Sequence, residues 1–274
     1  MKKIVNRIIT VLCCVMTIIG SSSIVMAQSV RETGNNGSVE TADLIQANRQ
    51  TSQEYLNANN ANSYVVKGTL YNNEEDWFKV YLERGKDTYF SIYSDFLYFQ
   101  LHDSDGNIVK GSTCISNASM NYQVIDLGDL PSGYYYIQLN RSNSIASYQF
   151  VIGNPIYRSK QESISGHRIS LSSSNRLDID EINFNVVDYP NKAAIYQIGI
   201  SGVNSSYASK VEVSFDRSSK SISKSSATAW GTISVPLSYE YTFDGRYTFT
   251  YTYNSSTKSF TPRYTFYYVY PLLP

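Results

Sequence analysis

Glu74, Glu75 and Asp76 stand in a row directly before Trp77 in the stretch NNEEDWFKVYL (72–82). A run of this kind could serve paired-carboxylate hydrolysis, or help to hold a hard cation through several oxygens. Paired-carboxylate chemistry needs two acids facing each other across a cleft, whereas Glu74 and Glu75 are sequence neighbours on a turn. Nucleophilic catalysis needs a base that orients and deprotonates its nucleophile. The chain has two histidines. His102 closes an alternating run beside Asp103, and His167 sits in SISGHRIS (163–170); both read as surface polar residues of separate halves. Gly199-Ile200-Ser201-Gly202-Val203 lacks the last glycine of a nucleophile elbow, and H-E-x-x-H, paired-cysteine zinc spacings and a P-loop are absent. Asp103-Ser104-Asp105-Gly106-Asn107 opens like a calcium loop but has no downstream glutamate and lies between strand-like runs, so it reads as a hairpin turn. No catalytic residue emerges, and the chain reads as a non-enzyme.

The elements around these residues are strands. Lys2, Lys3 and Arg7 precede an apolar stretch from Ile8 to Gly20, and Val25-Met26-Ala27 ends a small-residue cleavage pattern. Residues 1–27 therefore read as a secretory leader whose apolar core is too short for a stop-transfer segment. The expected location is extracellular, the cell surface included, with no stable membrane insertion after cleavage. The leader holds three of the 23 basic residues and none of the 23 acids, so the remainder is net acidic and nucleic acid is excluded as a partner held by net positive charge. Cys13 and Cys14 lie in the leader, leaving Cys114 without an internal disulfide partner. It reads as a packed free thiol, with an intermolecular disulfide as the alternative.

Twenty-five tyrosines and 11 phenylalanines suit pleated surfaces with one wet face. Residues 28–63 are polar, with SVETADLIQ (38–46) expected to start a short helix and LNANNANS (56–63) to be linker. From Tyr64 to Gly153 about eight alternating runs are separated by turn signals, which predicts an antiparallel sandwich of jelly-roll type. In WFKVYL (77–82), Phe78, Val80 and Leu82 should point inward, and in GYYYIQLN (133–140), Tyr135, Ile137 and Leu139. Residues 154–274, beyond Gly153-Asn154-Pro155, are Ser- and Tyr-rich and carry seven strand-like runs, suggesting an immunoglobulin-like sandwich. The fold class is thus all-β, with two antiparallel β-sandwich domains. The last run, RYTFYYVY (263–270), is aromatic on both faces, for which a domain–domain interface is the economical cover.

The ordered set ETAD (40–43), VVKGTL (65–70), EEDWFKVYL (74–82), LHDSDGNIV (101–109), LPSGYYYIQL (130–139) and SYQFVIG (147–153) resembles the bacterial pre-peptidase C-terminal domain family over residues 38–153. That resemblance implies a secreted, non-catalytic β-sandwich accompanying exported enzymes. It also implies a calcium site, carried over to Glu40, Asp43 and Asp76; the alternative is that Glu40 and Asp43 favour a helix start while Asp76 caps a turn. Collagen-binding relatives use outward tyrosines on the strand matching GYYYIQLN; here Gln138 and Asn140 replace the useful aromatics, which argues against collagen. Trp77, Tyr134 and Tyr136 are the candidate ligand-binding residues, with Trp77 also expected to pack beneath the N-terminal segment. The functional reading is a secreted binding module for an extracellular polymer, protein surface or cell-envelope component. Its alternatives are a component of an exported hydrolase system, with any catalysis in residues 154–274, and a structural surface subunit.

Overall fold

The computed structural model describes residues 28–274, apart from 87, 95, 115–121, 142–144, 186–187, 204–205 and 226–230. The leader expected at residues 1–27 lies outside the described residues, and so does the side chain of Cys114.

Alternating apolar residues build ten strands before residue 154. They are β1 (Gln28–Arg31), β2 (Asp43–Leu44), β3 (Tyr64–Leu70), β4 (Glu75–Leu82), β5 (Tyr89–Ser94), β6 (Leu97–His102), β7 (Ile108–Cys114), β8 (Gln123–Asp126), β9 (Gly133–Asn140) and β10 (Ala146–Gly153). They form two five-stranded sheets, in the orders β1-β3-β10-β5-β8 and β2-β4-β9-β6-β7. With the short parallel edge strands β1 and β2 set aside, β3 pairs with β10, β4 with β9 and β5 with β8, a nested order that is a jelly roll. The expected phases hold: Phe78, Val80, Leu82, Tyr135, Ile137 and Leu139 are all buried. Phe90 stacks on Phe99 with centroids 4.1 Å apart, and Phe78 meets Phe150 edge-on at 5.1 Å, giving an aromatic centre to this core.

The second half contains β11 (Tyr157–Ser165), β12 (Ile169–Leu171), β13 (Leu177–Phe184), β14 (Ala194–Ser201), β15 (Ala208–Phe215), β16 (Ser221–Ser225), β17 (Gly231–Ser234), β18 (Gly245–Tyr253), β19 (Lys258–Phe260) and β20 (Arg263–Pro271). Its four-stranded sheets run β11-β20-β14-β17 and β13-β18-β15-β16, with β12-β19 as a small third sheet. First strand beside last, and second beside penultimate, is again the jelly-roll order rather than the expected immunoglobulin order. Strand count could not separate the two, because topology is set by pairing partners far apart in sequence. A separate aromatic core fills this half, including Phe249 stacked on Tyr264 at 3.9 Å.

The segment between residues 28 and 63 is more ordered than its composition suggested. Only Val39–Thr41 forms a helical turn where a helix was expected, since Asp43 and Leu44 leave it to pair with β4 as β2. The real helix, α1 (Ser52–Leu56), starts at Thr51, whose hydroxyl accepts from the Glu54 amide while Glu54 accepts from the Thr51 amide. α1 packs on β11 and β20, with the Tyr55 and Tyr157 rings 6.3 Å apart. That contact supplies part of the cover expected for the outer face of β20.

Candidate functional site

The middle strands of the second sheet, β4, β9 and β6, turn alternate side chains outward, and their register assembles one face. Across β4 and β9, Trp77 lies opposite Gln138, Lys79 opposite Tyr136 and Tyr81 opposite Tyr134. Across β6 and β9, His102 lies opposite Tyr136 and Gln100 opposite Gln138. The sequence-derived trio of Trp77, Tyr134 and Tyr136 is therefore brought together.

Ring contacts hold the row. Trp77 and His102 lie 5.2 Å apart, and Tyr81 meets Tyr134 edge-on at 5.2 Å. Lys79 bridges Tyr134 and Tyr136, its Nζ 4.7 Å from the Tyr134 centroid and 5.4 Å from that of Tyr136. A polar chain fixes the Trp77 end: Glu75 Oε2 accepts from Trp77 Nε1 at 3.1 Å and from Gln138 Nε2 at 2.9 Å. Gln138 Oε1 is in turn 3.2 Å from His102 Nε2. Alternation had already put Lys79 and Gln138 on the outward sides of their strands, but sequence reasoning did not name them, or Glu75 and His102, as site residues. The alternation that placed Trp77 outward also applied to Glu75 and Lys79, but which strands lie side by side is a tertiary fact.

The face runs into a cleft of about 560 Å³ between the helical turn carrying Glu40 and the Asp103–Asn107 hairpin, with Trp77, His102 and Tyr136 on its floor. The hairpin is a local polar turn, as expected. Asp103 Oδ1 accepts from the amides of Asp105 at 3.0 Å and Asn107 at 2.8 Å, and Gly106 adopts φ 84°. The Asn107 side chain and these amides hold the Asp103 carboxyl below its ordinary range. Trp77 lies against the N-terminal segment, whose Val39 and Glu40 line the cleft beside it. Its amide donates to Asn36 O at 2.7 Å, while its half-buried indole occupies the outer face.

The proposed calcium trio is not assembled. Glu40 is exposed, with its carboxyl lowered by the Ser38 hydroxyl. Asp43 accepts from Thr33 N at 2.9 Å and Thr33 Oγ1 at 2.8 Å. Asp76 shares its phase with Phe78 and is buried on the opposite side of β4 from the aromatic face. Among the described residues no three His, Cys, Asp or Glu side chains are placed to hold a metal ion.

Asp76 instead meets Glu32, a residue the sequence did not single out. The Tyr148 hydroxyl lies 2.7 Å from Asp76 Oδ2 and 2.6 Å from Glu32 Oε2, and Glu32 Oε1 accepts from the Thr69 amide at 2.8 Å. Burial, then the neighbouring Glu32 carboxyl, pushes the Asp76 carboxyl up to about 8. A second buried aspartate, Asp180 on β13, is served differently. It accepts from His167 N at 3.0 Å, from His167 Nδ1 at 2.8 Å and from the Tyr264 hydroxyl at 2.8 Å, which itself accepts from Tyr251 at 3.0 Å. His167 is the surface polar residue expected, its side chain mostly exposed, and it also partners a buried carboxylate.

Comparison with known proteins corrects the family resemblance. Residues 80–153, just over a quarter of the chain, match the family described as Secretion system C-terminal sorting domain, not the pre-peptidase C-terminal domain. Alternation, Asp-Gly turns and outward tyrosines are common to many exported sandwiches, so the motifs quoted for the resemblance did not discriminate. The match and the leader agree on an extracellular location. No curated protein matches the sequence. Among solved structures, a protein from Eubacterium rectale described as secreted superposes with TM-score 0.53 at 15% identity, over 88% of this chain and 82% of that one. This likeness supports the β-sandwich fold. A periplasmic inhibitor of g-type lysozyme from Aeromonas hydrophila gives TM-score 0.25 at 12% identity, over 40% of this chain and 98% of its own. No helix among the described residues is long and apolar enough to cross a membrane.

Proposed function

We propose that this is a non-catalytic binding protein that works outside the cell and grips an extracellular polymer on the outer face of the β4-β9-β6 sheet. The observation that carries the reading is that Trp77 with His102, and Tyr136 with Lys79, Tyr134 and Tyr81, share one outward face, with His102 opposite Tyr136 in the register. Half-exposed rings fixed by hydrogen bonds and a cation lose little freedom when a ligand lands on them, which favours binding. Pull-down of the secreted chain on cell walls, polysaccharides and matrix proteins tests it. Retention on one of these classes, lost in Trp77→Ala and Tyr134→Ala, is expected. Retention on none, or retention indifferent to both substitutions, refutes it.

A second reading is favoured by the family match at residues 80–153: the first jelly roll is also read by a secretion system during export. Comparing the amount of chain in the medium of strains with and without that system tests it. Equal amounts would remove this role and leave the binding face untouched.

A further inference from the structure

Resting on the reading of this face as a polymer-binding surface, we infer that its ligand is a neutral polysaccharide, stacked along Trp77, Tyr136 and Tyr134 and hydrogen-bonded by Glu75 and Gln138. Three properties of the face select this class. The first is the alternation of rings with planar polar groups. Sugar rings present an apolar C–H side that packs on an aromatic ring, and vicinal hydroxyls that suit a carboxylate or an amide. Glu75 and Gln138 sit beside Trp77 and are hydrogen-bonded to each other, so stacking and polar groups are presented together. From Trp77 to Tyr81 the face extends roughly 14 Å along β4, enough for more than one sugar ring.

The second property is charge. Glu75, Glu40, Asp103 and Asp105 stand at the Trp77 end, while the cation within the row, Lys79, lies over the Tyr134 and Tyr136 rings. That field opposes uronate, sulfate and phosphate polymers, which need clustered Lys or Arg. The third is the backbone. β9 and β6 are hydrogen-bonded to strands on both sides, and β4 to β9 throughout and to β2 at Phe78 and Lys79, so Tyr134, Tyr136 and Trp77 are presented by interior strands rather than by an open edge to which an extended peptide could add.

Affinity electrophoresis of the secreted chain tests the inference, with β-glucan, xylan and galactomannan as neutral polymers, alginate and polygalacturonate as polyanions, and gelatin as protein. Retardation by at least one neutral polymer is expected, weakened roughly three- to tenfold by each of Trp77→Ala and Tyr136→Ala. Trp77→Phe and Tyr136→Phe keep a ring and should stay within about threefold of the parent. The melting midpoint of each variant shows that it is folded. Retardation by gelatin alone, or by polyanions alone, overturns the polysaccharide inference; if that retardation is sensitive to Trp77, the broader reading stands. Neutral-polymer binding that survives both alanine substitutions overturns this site. Binding of no polymer overturns the inference and the broader reading together.

Discussion

Replacing Asp76 by Asn should change how the stability of the first jelly roll depends on pH. The Tyr148 oxygen stands within 2.7 Å of a carboxyl oxygen of Asp76 and 2.6 Å of one of Glu32. One phenolic proton cannot be donated to both. A second proton on the carboxyl pair lets one acid donate to the phenol oxygen while the phenol donates to the other acid. Burial and Glu32 accordingly raise the Asp76 carboxyl from 3.8 to about 8, with Glu74 adding further negative charge. The sign follows from linkage: a carboxyl raised on folding holds its proton more tightly in the native state. Its stabilisation is complete below about pH 4 and is lost as pH climbs to about 8. A full proton gives a slope of about 1.4 kcal/mol per pH unit. The acids border a cleft lined by Asn36 and Glu74, so solvent screens part of this, and about 1–2 kcal/mol should be lost between pH 5 and 7. Asp76→Asn removes this titration. Urea unfolding of both proteins in chelator, from pH 4.5 to 9, is the assay. The parent should fall relative to the variant as pH rises, and parallel curves refute the reasoning. Repeating the series with calcium adds a second check. A calcium-induced rise seen in the parent and lost in the variant would mean that a cation, not a proton, neutralises the pair.

Removing the other buried acid should act through lost acceptors. Asp180→Ala leaves the His167 amide and the Tyr264 hydroxyl without their acceptor, and should cost about 2–4 kcal/mol by urea unfolding; a cost below about 1 kcal/mol would contradict the network. Gly68→Ala would place a Cβ 2.2 Å from the Tyr148 hydroxyl, and Gly166→Ala one 2.0 Å from Asp180 Oδ2. Each should destabilise by about 1–3 kcal/mol, and unchanged midpoints would refute the close packing. On the aromatic face, Tyr134→Ala removes a half-exposed ring and should shift stability by less than about 1 kcal/mol, so a larger loss in thermal melts would make Tyr134 structural rather than a contact residue.

The strands that alternate cleanly were legible in the sequence because their inner face is apolar. WFKVYL and GYYYIQLN lie in phase as expected, and Asp103–Asn107 is the hairpin its residues indicate. β11 was not legible, since Ser159 to Ser163 are all exposed and a wet edge strand leaves no apolar period to read. One of the seven strand-like runs of the second half, TISVPLSYEYTF (232–243), is not a single strand: β17 ends at Ser234 before Pro236, and Tyr241 and Phe243 reach the core from a loop. Asp76 misled differently. Its phase put it inside with Phe78, but a carboxylate beside two glutamates reads as solvated unless its partners are known. Those partners, Tyr148 and Glu32, are far away in the chain. Local alternation put Trp77, Lys79, Tyr134, Tyr136 and Gln138 on outward faces, whereas setting Glu75 and His102 beside them needed the register of three strands.

The two halves show no sequence repeat, yet they close with related parts. In each, an aspartate on the second strand of the roll, Asp76 on β4 or Asp180 on β13, accepts from a tyrosine on the last, Tyr148 on β10 or Tyr264 on β20. In each, two residues further on, a phenylalanine, Phe150 or Phe266, enters the core, and a glycine, Gly68 or Gly166, leaves room for the pair. The third member decides the electrostatics. His167 gives Asp180 two more hydrogen-bond partners, its amide and its ring Nδ1. Glu32 gives Asp76 a second acid, so that pair needs an added positive charge. Because Glu32 directly follows β1 and the same segment continues into β2, the charge state of this pair governs how firmly the N-terminal strands lie on the first roll. A rise in pH should therefore lower the hydrogen-exchange protection factors of residues 28–44, corrected for the base-catalysed intrinsic rate, while leaving those of the β13 and β20 amides unchanged. Equal loosening in both halves would mean that Glu32 and His167 play the same part after all.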